Sequence, residues 1–488
     1  MRTVFFYKVV FSNTFLIFPM KLFRKIVVFL ILSFSIWQDY RLLFQSKAAA
    51  SIDAYYYVLQ ITWFNKFGHF YFSITTPFVL YFLSALAFFT DDPIFAVKFG
   101  AVILQVLLYL GISALLQSIT KNAWFAVLGI FLTAFSVLHL YFLSEFLNNL
   151  GALVCLIWGA FGIVKTIQTK KKIWLGFAGL TLLAAILSHR SAVWIIALAF
   201  LVVLLAHLWL KYATSPKRAF IFDLLILVLF FLPLILAWQS FFALPEWFSA
   251  ELSKHLQNPF HSLVLMESLT LLVIIGATLS ILYLKPKLLR ESLSGLILAS
   301  IVVWSFLLTL NPFLNHQKGI FGIVVRLDTL AFLQTAIAVP LLLFLLFSYS
   351  KKFAFAIASL LLPLLFLRWF SPFPVGLRTE YLQAREKLIR ELPLMRSQIC
   401  EKPFIIAQHG EQFLVTAILQ VPSQQKPPIE TEYQCVYWLV HQDDNFVLIE
   451  DSELRKTFEQ LSVEEIQNQI TTNPHLRELL ESRQKTPR

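Results

Sequence analysis

Eleven stretches of this sequence are apolar over the roughly 17–25 residues that a helix needs to cross the hydrocarbon core of a bilayer. They fall at about 24–44, 94–118, 123–143, 146–164, 173–188, 191–210, 219–240, 262–284, 292–311, 326–348 and 353–371. Such a chain can satisfy its backbone polar groups only as membrane helices packed together. The composition agrees. Hydrophobic residues make up 58% of the 488 and charged residues only 14%, against roughly 25% charged in a soluble domain. A water-soluble globular protein and a disordered chain are both excluded.

The net charge of +12 is unevenly divided. Residues 1–377 hold 27 Lys and Arg against 11 Asp and Glu, and residues 378–488 hold 13 against 17. The part that reads as soluble is therefore mildly acidic, which argues against a nucleic-acid partner. Basic residues favour cytoplasmic loops. The clusters are Lys21/Arg24/Lys25, Lys121, Lys165 with Lys170–Lys172, Lys211 with Lys217/Arg218, Lys285/Lys287/Arg290, and Lys351/Lys352. Eleven spans with a cytoplasmic N-terminus put all of them inside. A further apolar run at 74–89 would reverse every later cluster if it also crossed. It is expected to lie along the outer membrane surface or to re-enter it. The protein is thus expected in the cell membrane, with its C-terminus on the extracytoplasmic side.

The two ends of the chain differ from its middle. Residues 1–19 are apolar but too short and interrupted to span, and Met20, ahead of Lys21 and Arg24, is the expected translation start. The first span reads as an uncleaved anchor. Past Arg368 the composition changes, with Pro372 and Pro374 as linker. The chain divides into a membrane domain, 1–377, and a soluble module, 378–488. In the module a helix is expected over 380–396 and a strand over 403–407. A helix over 411–419 comes next, then strands over 436–440 and 446–450 and acidic helices over 451–480. This is a small α/β fold. Cys400 and Cys435 each precede a strand, so two neighbouring parallel strands would bring them together. Outside the cytoplasm a disulfide between them can persist, and two buried thiols are the alternative.

Acids are costly in a membrane protein, and their placement is informative. On this topology Asp39, Asp53, Asp91, Asp92, Glu145, Glu246, Glu251, Glu267 and Asp328 lie at or near the outer face, against Asp223 and Glu291 inside. Asp53 opens the long first outer loop, ahead of an aromatic helix. It either caps that helix or accepts a proton from a nucleophile, and the two roles are compatible. Glu145 sits in the tight turn Ser144–Asn149. Ser188-His189-Arg190 is squeezed between two spans; these cations either snorkel to headgroups or bind a lipid-linked phosphate. Arg326 reads the same way, with Asp328 as a possible partner for it. His69, His316 and Lys318 are further candidates for lining the cavity. No metal-ligand spacing, Walker-type loop or Gly-x-Gly-x-x-Gly occurs, so neither a cofactor nor a nucleotide donor is expected.

The layout resembles the GT-C-type integral-membrane glycosyltransferases, which include protein O-mannosyltransferases, the aminoarabinose transferase for lipid A and oligosaccharyltransferase catalytic subunits. The resemblance rests on Asp53-Ala54-Tyr55-Tyr56 after the first span, the proline-led helix from Pro77 to Leu86, and Ser144-Glu145-Phe146-Leu147-Asn148-Asn149. Leu187-Ser188-His189-Arg190, Arg326 and the outer soluble module complete it. It implies transfer of a sugar from a polyprenyl-phosphate donor to a lipid, glycan or protein acceptor at the outer face. Asp53 would be the general base and Glu145 would assist it. His189, Arg190 and Arg326 would hold the donor phosphate, with Tyr56 and His69 also against substrate. The first loop carries one acid where several members carry a pair, which weakens the case for a divalent metal. The tail's only Trp is Trp438, so transfer of a whole oligosaccharide to Asn is not implied. Two other readings stay open: a transporter or flippase of lipid-linked precursors, and a non-catalytic membrane scaffold.

Overall fold

A computed structural model describes residues 14–51, 53–71, 78–189, 191–212, 259–305, 330–367, 377–425, 433–442 and 445–452. The chain forms two compact units. The first takes Met1–Leu42, Pro77–Val79 and Ala101–Pro374; the second takes Leu43–Thr76, Leu80–Gly100 and Val375–Arg488.

The helices, in order, are α1 (Thr14–Phe44), α2 (Ala54–Phe67), α3 (Phe78–Thr90), α4 (Pro93–Thr120), α5 (Ala123–Ala134), α6 (Val137–Ser144), α7 (Leu147–Thr169) and α8 (Lys172–Ser188). After these come α9 (Ser191–Tyr212), α10 (Pro259–Leu284), α11 (Pro286–Arg290), α12 (Leu293–Trp304), α13 (Ala331–Tyr349) and α14 (Lys351–Leu367). Among the described residues five helices are long and apolar enough to cross a membrane, in α1, α4, α7, α9 and α13, or six if the bent pair α5–α6 counts as one span. The protein is therefore a mainly helical membrane protein, and the expected count of eleven spans is not confirmed among the described residues. The span expected at 219–240 lies outside the described residues. The one expected at 173–188 is the 17-residue α8, about 25 Å long at 1.5 Å per residue and so short of the hydrocarbon thickness.

The expected span 123–143 is two helices that bend by 69° at Phe135–Ser136. No Pro or Gly marks the break. Other groups complete the opened backbone instead: His139 Nδ1 faces the Ser136 carbonyl, and the Phe135 N–H returns to the Phe131 carbonyl at 2.9 Å. In the first unit α7 and α8 form a hairpin that turns at Lys170, whose φ of 56° is left-handed. Close approach depends on Gly162, where a Cβ would stand 3.0 Å from that of Ala178; small residues bring membrane helices together in this way. Near the middle of the bundle, α13 is buried along almost its whole length and packs on α5, α10, α12 and α14.

The second unit combines loop and tail. Thirteen-residue α3 is too short to span. It buries Leu83 and Ala87 and exposes Phe88 and Phe89, apolar rings of the kind that a helix lying in the interface turns into the bilayer. The tail supplies α15 (Thr379–Glu391) with a 3-10 turn (Leu392–Gln398), β1 (Pro403–Ile406), α16 (Glu411–Leu419), β2 (Ser423–Gln424), β3 (Cys435–Gln442) and β4 (Asn445–Glu450). The sheet order is β2-β1-β3-β4. β1 runs parallel to β2 and β3, and β4 antiparallel to β3. Phe404, Ile406 and Trp438 form its core with Tyr433, Val436 and Val440. The helix expected over 380–396 ends at Glu391, where Pro393 removes a backbone donor and a 3-10 turn takes over. The short β2 leaves no mark in the sequence, because two residues carry no alternation to detect.

Pro403 pairs with Cys435 across the parallel strands, and Cys400 and Cys435 are joined in a disulfide with Cα atoms 6.5 Å apart. The bridge joins residues 35 apart in the chain, a separation for which the chain-entropy account gives roughly 3–4 kcal/mol. Reduction should accordingly raise amide exchange across β1 and β3. Equal exchange with and without reductant would show that the bond contributes nothing to the sheet.

Candidate functional site

Asp53 stands at the N-terminus of α2, where capping is one of its two expected roles. The cap is made by its neighbour. Ser51 Oγ accepts from the Asp53 N–H at 2.9 Å and from the Ala54 N–H at 3.1 Å. The Asp53 carboxylate makes no capping bond. It faces His409 instead, Oδ1 to Nε2 at 3.2 Å, with side-chain exposures of 32% for the Asp and 56% for the His. His409 lies in the loop between β1 and α16, beyond the carboxyl end of a parallel strand, where α/β sheets place ligand-binding groups. Its ring packs on Phe413 at 6.0 Å, and Phe413 packs on Tyr56 at 5.6 Å. The sequence candidates Asp53 and Tyr56 thus share the start of α2 and are joined by His409 and Phe413 from the tail. His69 is at the other end of this 14-residue helix, about 20 Å away along the axis, with Nδ1 on the Phe67 carbonyl at 3.1 Å.

Helix α16 holds His409 in place. It packs along α2, and at the far end Lys66 Nζ donates to Gln420 Oε1 at 2.6 Å. On the tail side Arg385 of α15 meets Glu411, the first residue of α16, at 2.6 Å, both nearly buried. Burial opposes the Arg385 cation, but the Glu411 carboxylate and the Tyr381 phenol outweigh it and hold its pKa above the ordinary value. Tyr381 lies under the guanidinium at 4.8 Å. Burial, reinforced by Tyr381, pushes the Tyr55 phenol well up, so Tyr55 is a neutral hydroxyl that accepts from the Ala49 N–H at 3.2 Å.

Glu145 and His189 belong to the first unit. Glu145 terminates α6, its N–H returning to the Tyr141 carbonyl; His189 terminates α8 in an extended conformation. The α7–α8 hairpin brings the end of α8 beside the second turn of α7, since a Cβ on Gly151 would lie 3.8 Å from Ser188 Oγ. The Glu145 and His189 side chains are half-buried. Arg190, Arg326, Asp328, His316 and Lys318 lie outside the described residues.

A second polar centre, inside the first unit, is not apparent from the sequence. Asp39 and Glu267, expected among the outer acids, are each 2% exposed. Tyr109 O–H donates to Asp39 Oδ2 at 2.7 Å, and His139 Nε2 is 3.1 Å from Oδ1. His139 Nδ1 faces a carbonyl, which can only accept, so that nitrogen carries a proton. Glu267 takes the Ser136 hydroxyl at 2.9 Å and the Thr335 hydroxyl at 2.8 Å. Ser136 lies in the helix break and His139 in the first turn after it, so the break and the two buried carboxylates form one structure. Among the described residues no three His, Cys, Asp or Glu side chains converge as a metal site.

No family model and no curated protein sequence matches this chain.

Proposed function

We propose that the protein is a membrane glycosyltransferase that moves a sugar from a polyprenyl-phosphate donor to a hydroxyl- or amine-bearing acceptor, with Asp53 as general base. The observation that supports this most directly is the state of the Asp53 carboxylate. It is half-exposed, released from capping by Ser51 and oriented by His409. A carboxylate so held can take the acceptor's proton as the acceptor oxygen or nitrogen attacks the anomeric carbon. The bond from that carbon to the phosphate oxygen breaks, and the phosphate leaves with the electron pair. Single displacement inverts the anomeric configuration. The resemblance alone assigns Glu145 to the acceptor and His189, Arg190 and Arg326 to the donor phosphate. The acceptor is a lipid, a glycan or a protein. A glycolipid and glycoprotein profile of deletion and parent strains tests the reading: one glycan species should disappear and its lipid-linked donor accumulate. An unchanged profile would sink it.

The break at Phe135–Ser136 favours a second reading, transport of a lipid-linked precursor. Transporters carry discontinuous helices beside buried ionisable groups, and Asp39, His139 and Glu267 fit that description. Asp39→Asn separates the two readings. A transporter should lose flux with Asp53 intact, whereas a transferase should retain its turnover to the extent that its fold survives.

A further inference from the structure

We propose that the second unit contains a separate phosphate-binding cleft, formed by Lys98, Lys47 and Arg390. The cleft has a volume of about 730 Å³ and runs between the end of α1, the start of α4 and helix α15. Its deepest cation is Lys98, only 4% exposed. The ammonium has three donors. One reaches the Ser46 carbonyl at 2.6 Å, a neutral acceptor, and the Phe44 ring lies 5.5 Å away. Lys47 and Arg390 line the same cleft and are exposed. Two acids also line it, but both are committed to the protein. Asp92 Oδ1 caps α4 through the Ile94 and Phe95 N–H groups at 2.9 and 3.0 Å. Glu386 Oε1 takes the Ser46 hydroxyl at 2.7 Å and the Lys47 N–H; those bonds hold its pKa below the usual carboxylate range.

None of the three cations forms a salt bridge among the described residues. The Lys98 ammonium donates to a carbonyl, and the Asp92 and Glu386 carboxylates act on it across the cleft without forming a salt bridge with it. A nearly buried cation so placed is costly, and an anion held jointly by Lys98, Lys47 and Arg390 offsets that cost. The anion's class follows from the walls. Three cationic N–H donors lining one cleft suit the several oxygens of a phosphate, and Phe44, Phe95 and Ile389 supply an apolar side. The cleft opens where two helices long enough to span end and begin, at Phe44 and Pro93, which is the depth of phospholipid headgroups. The ligand is a phosphate ester, carried either by a membrane lipid or by a soluble molecule. Asp53 takes no part, so the cleft stands independently of the transfer reaction.

Native mass spectrometry of the full-length protein in detergent tests it with two probes, phosphatidylglycerol and inorganic phosphate. The parent should bind at least one of them about tenfold more tightly than Lys47→Gln/Arg390→Gln, whose altered residues are exposed and leave the fold intact. Binding of phosphatidylglycerol alone assigns a lipid, and binding of inorganic phosphate as well assigns recognition of the phosphate itself. If neither probe binds the parent, or if the double variant binds both as tightly as the parent, the proposal is overturned. Lys98→Met should abolish binding altogether.

Discussion

Asp53→Asn is expected to reduce glycosyl transfer by roughly 10²–10⁴-fold, the usual contribution of a positioned general base, while the protein remains at parental abundance. Asn is nearly isosteric, and the side chain at this position makes no capping bond whose loss would unravel α2. The fold should therefore survive, and the loss should be chemical. Asn keeps an acceptor oxygen for His409 but cannot take a proton at neutral pH. The effect should appear in turnover rather than in KM, as expected for an interaction used in the transition state. His409→Gln should cost less, because His409 acts through Asp53. Its mark is a changed pH–rate profile together with partial retention of turnover, which a purely structural role would not give. Full product formation by Asp53→Asn would remove Asp53 from the mechanism and leave the transport reading, centred on Asp39 and His139, in its place.

Local features are legible in the sequence, and those made by distant residues are not. In the tail, α16 lies at the expected 411–419, and β1, β3 and β4 lie within about two residues of their expected bounds, because alternation, turn residues and helical periodicity are local signals. The meeting of Cys400 and Cys435 rests on strand order, a single step beyond local structure. By contrast, the break at Phe135–Ser136 lies in an apolar run that hydropathy averages into one span; the bonds of Ser136 and His139 that accompany it reach elsewhere in the bundle. Asp39 and Glu267 read as loop acids because their partners are far off in sequence, Tyr109 and His139 for one and Ser136 and Thr335 for the other. Asp53 stands out by its position after the first span, but the group that orients it is a histidine more than 350 residues later. Only the packing of α16 on α2 brings the two together.

That packing has one vulnerable point, the pair Arg385–Glu411. Arg385→Met leaves Glu411 nearly buried without its countercharge, at a cost of roughly 3–5 kcal/mol. Glu411 is the first residue of α16, and its loosening frees His409 two residues before it. The single variant should show faster amide exchange in α16 and in the first turn of α2, along with lost transfer activity. Arg385→Met/Glu411→Leu removes both charges and fills the same space with apolar atoms, an exchange that is often neutral or stabilising. The double variant should therefore recover exchange protection and much of the activity, although neither altered residue touches substrate. Amide exchange is the suitable measure, because a chain of two units does not melt as one two-state system. If the double variant were as exposed as the single, the ion pair would be contributing specific geometry rather than charge compensation. The position of His409 would then depend on the Arg385 fork and its contact with Tyr381.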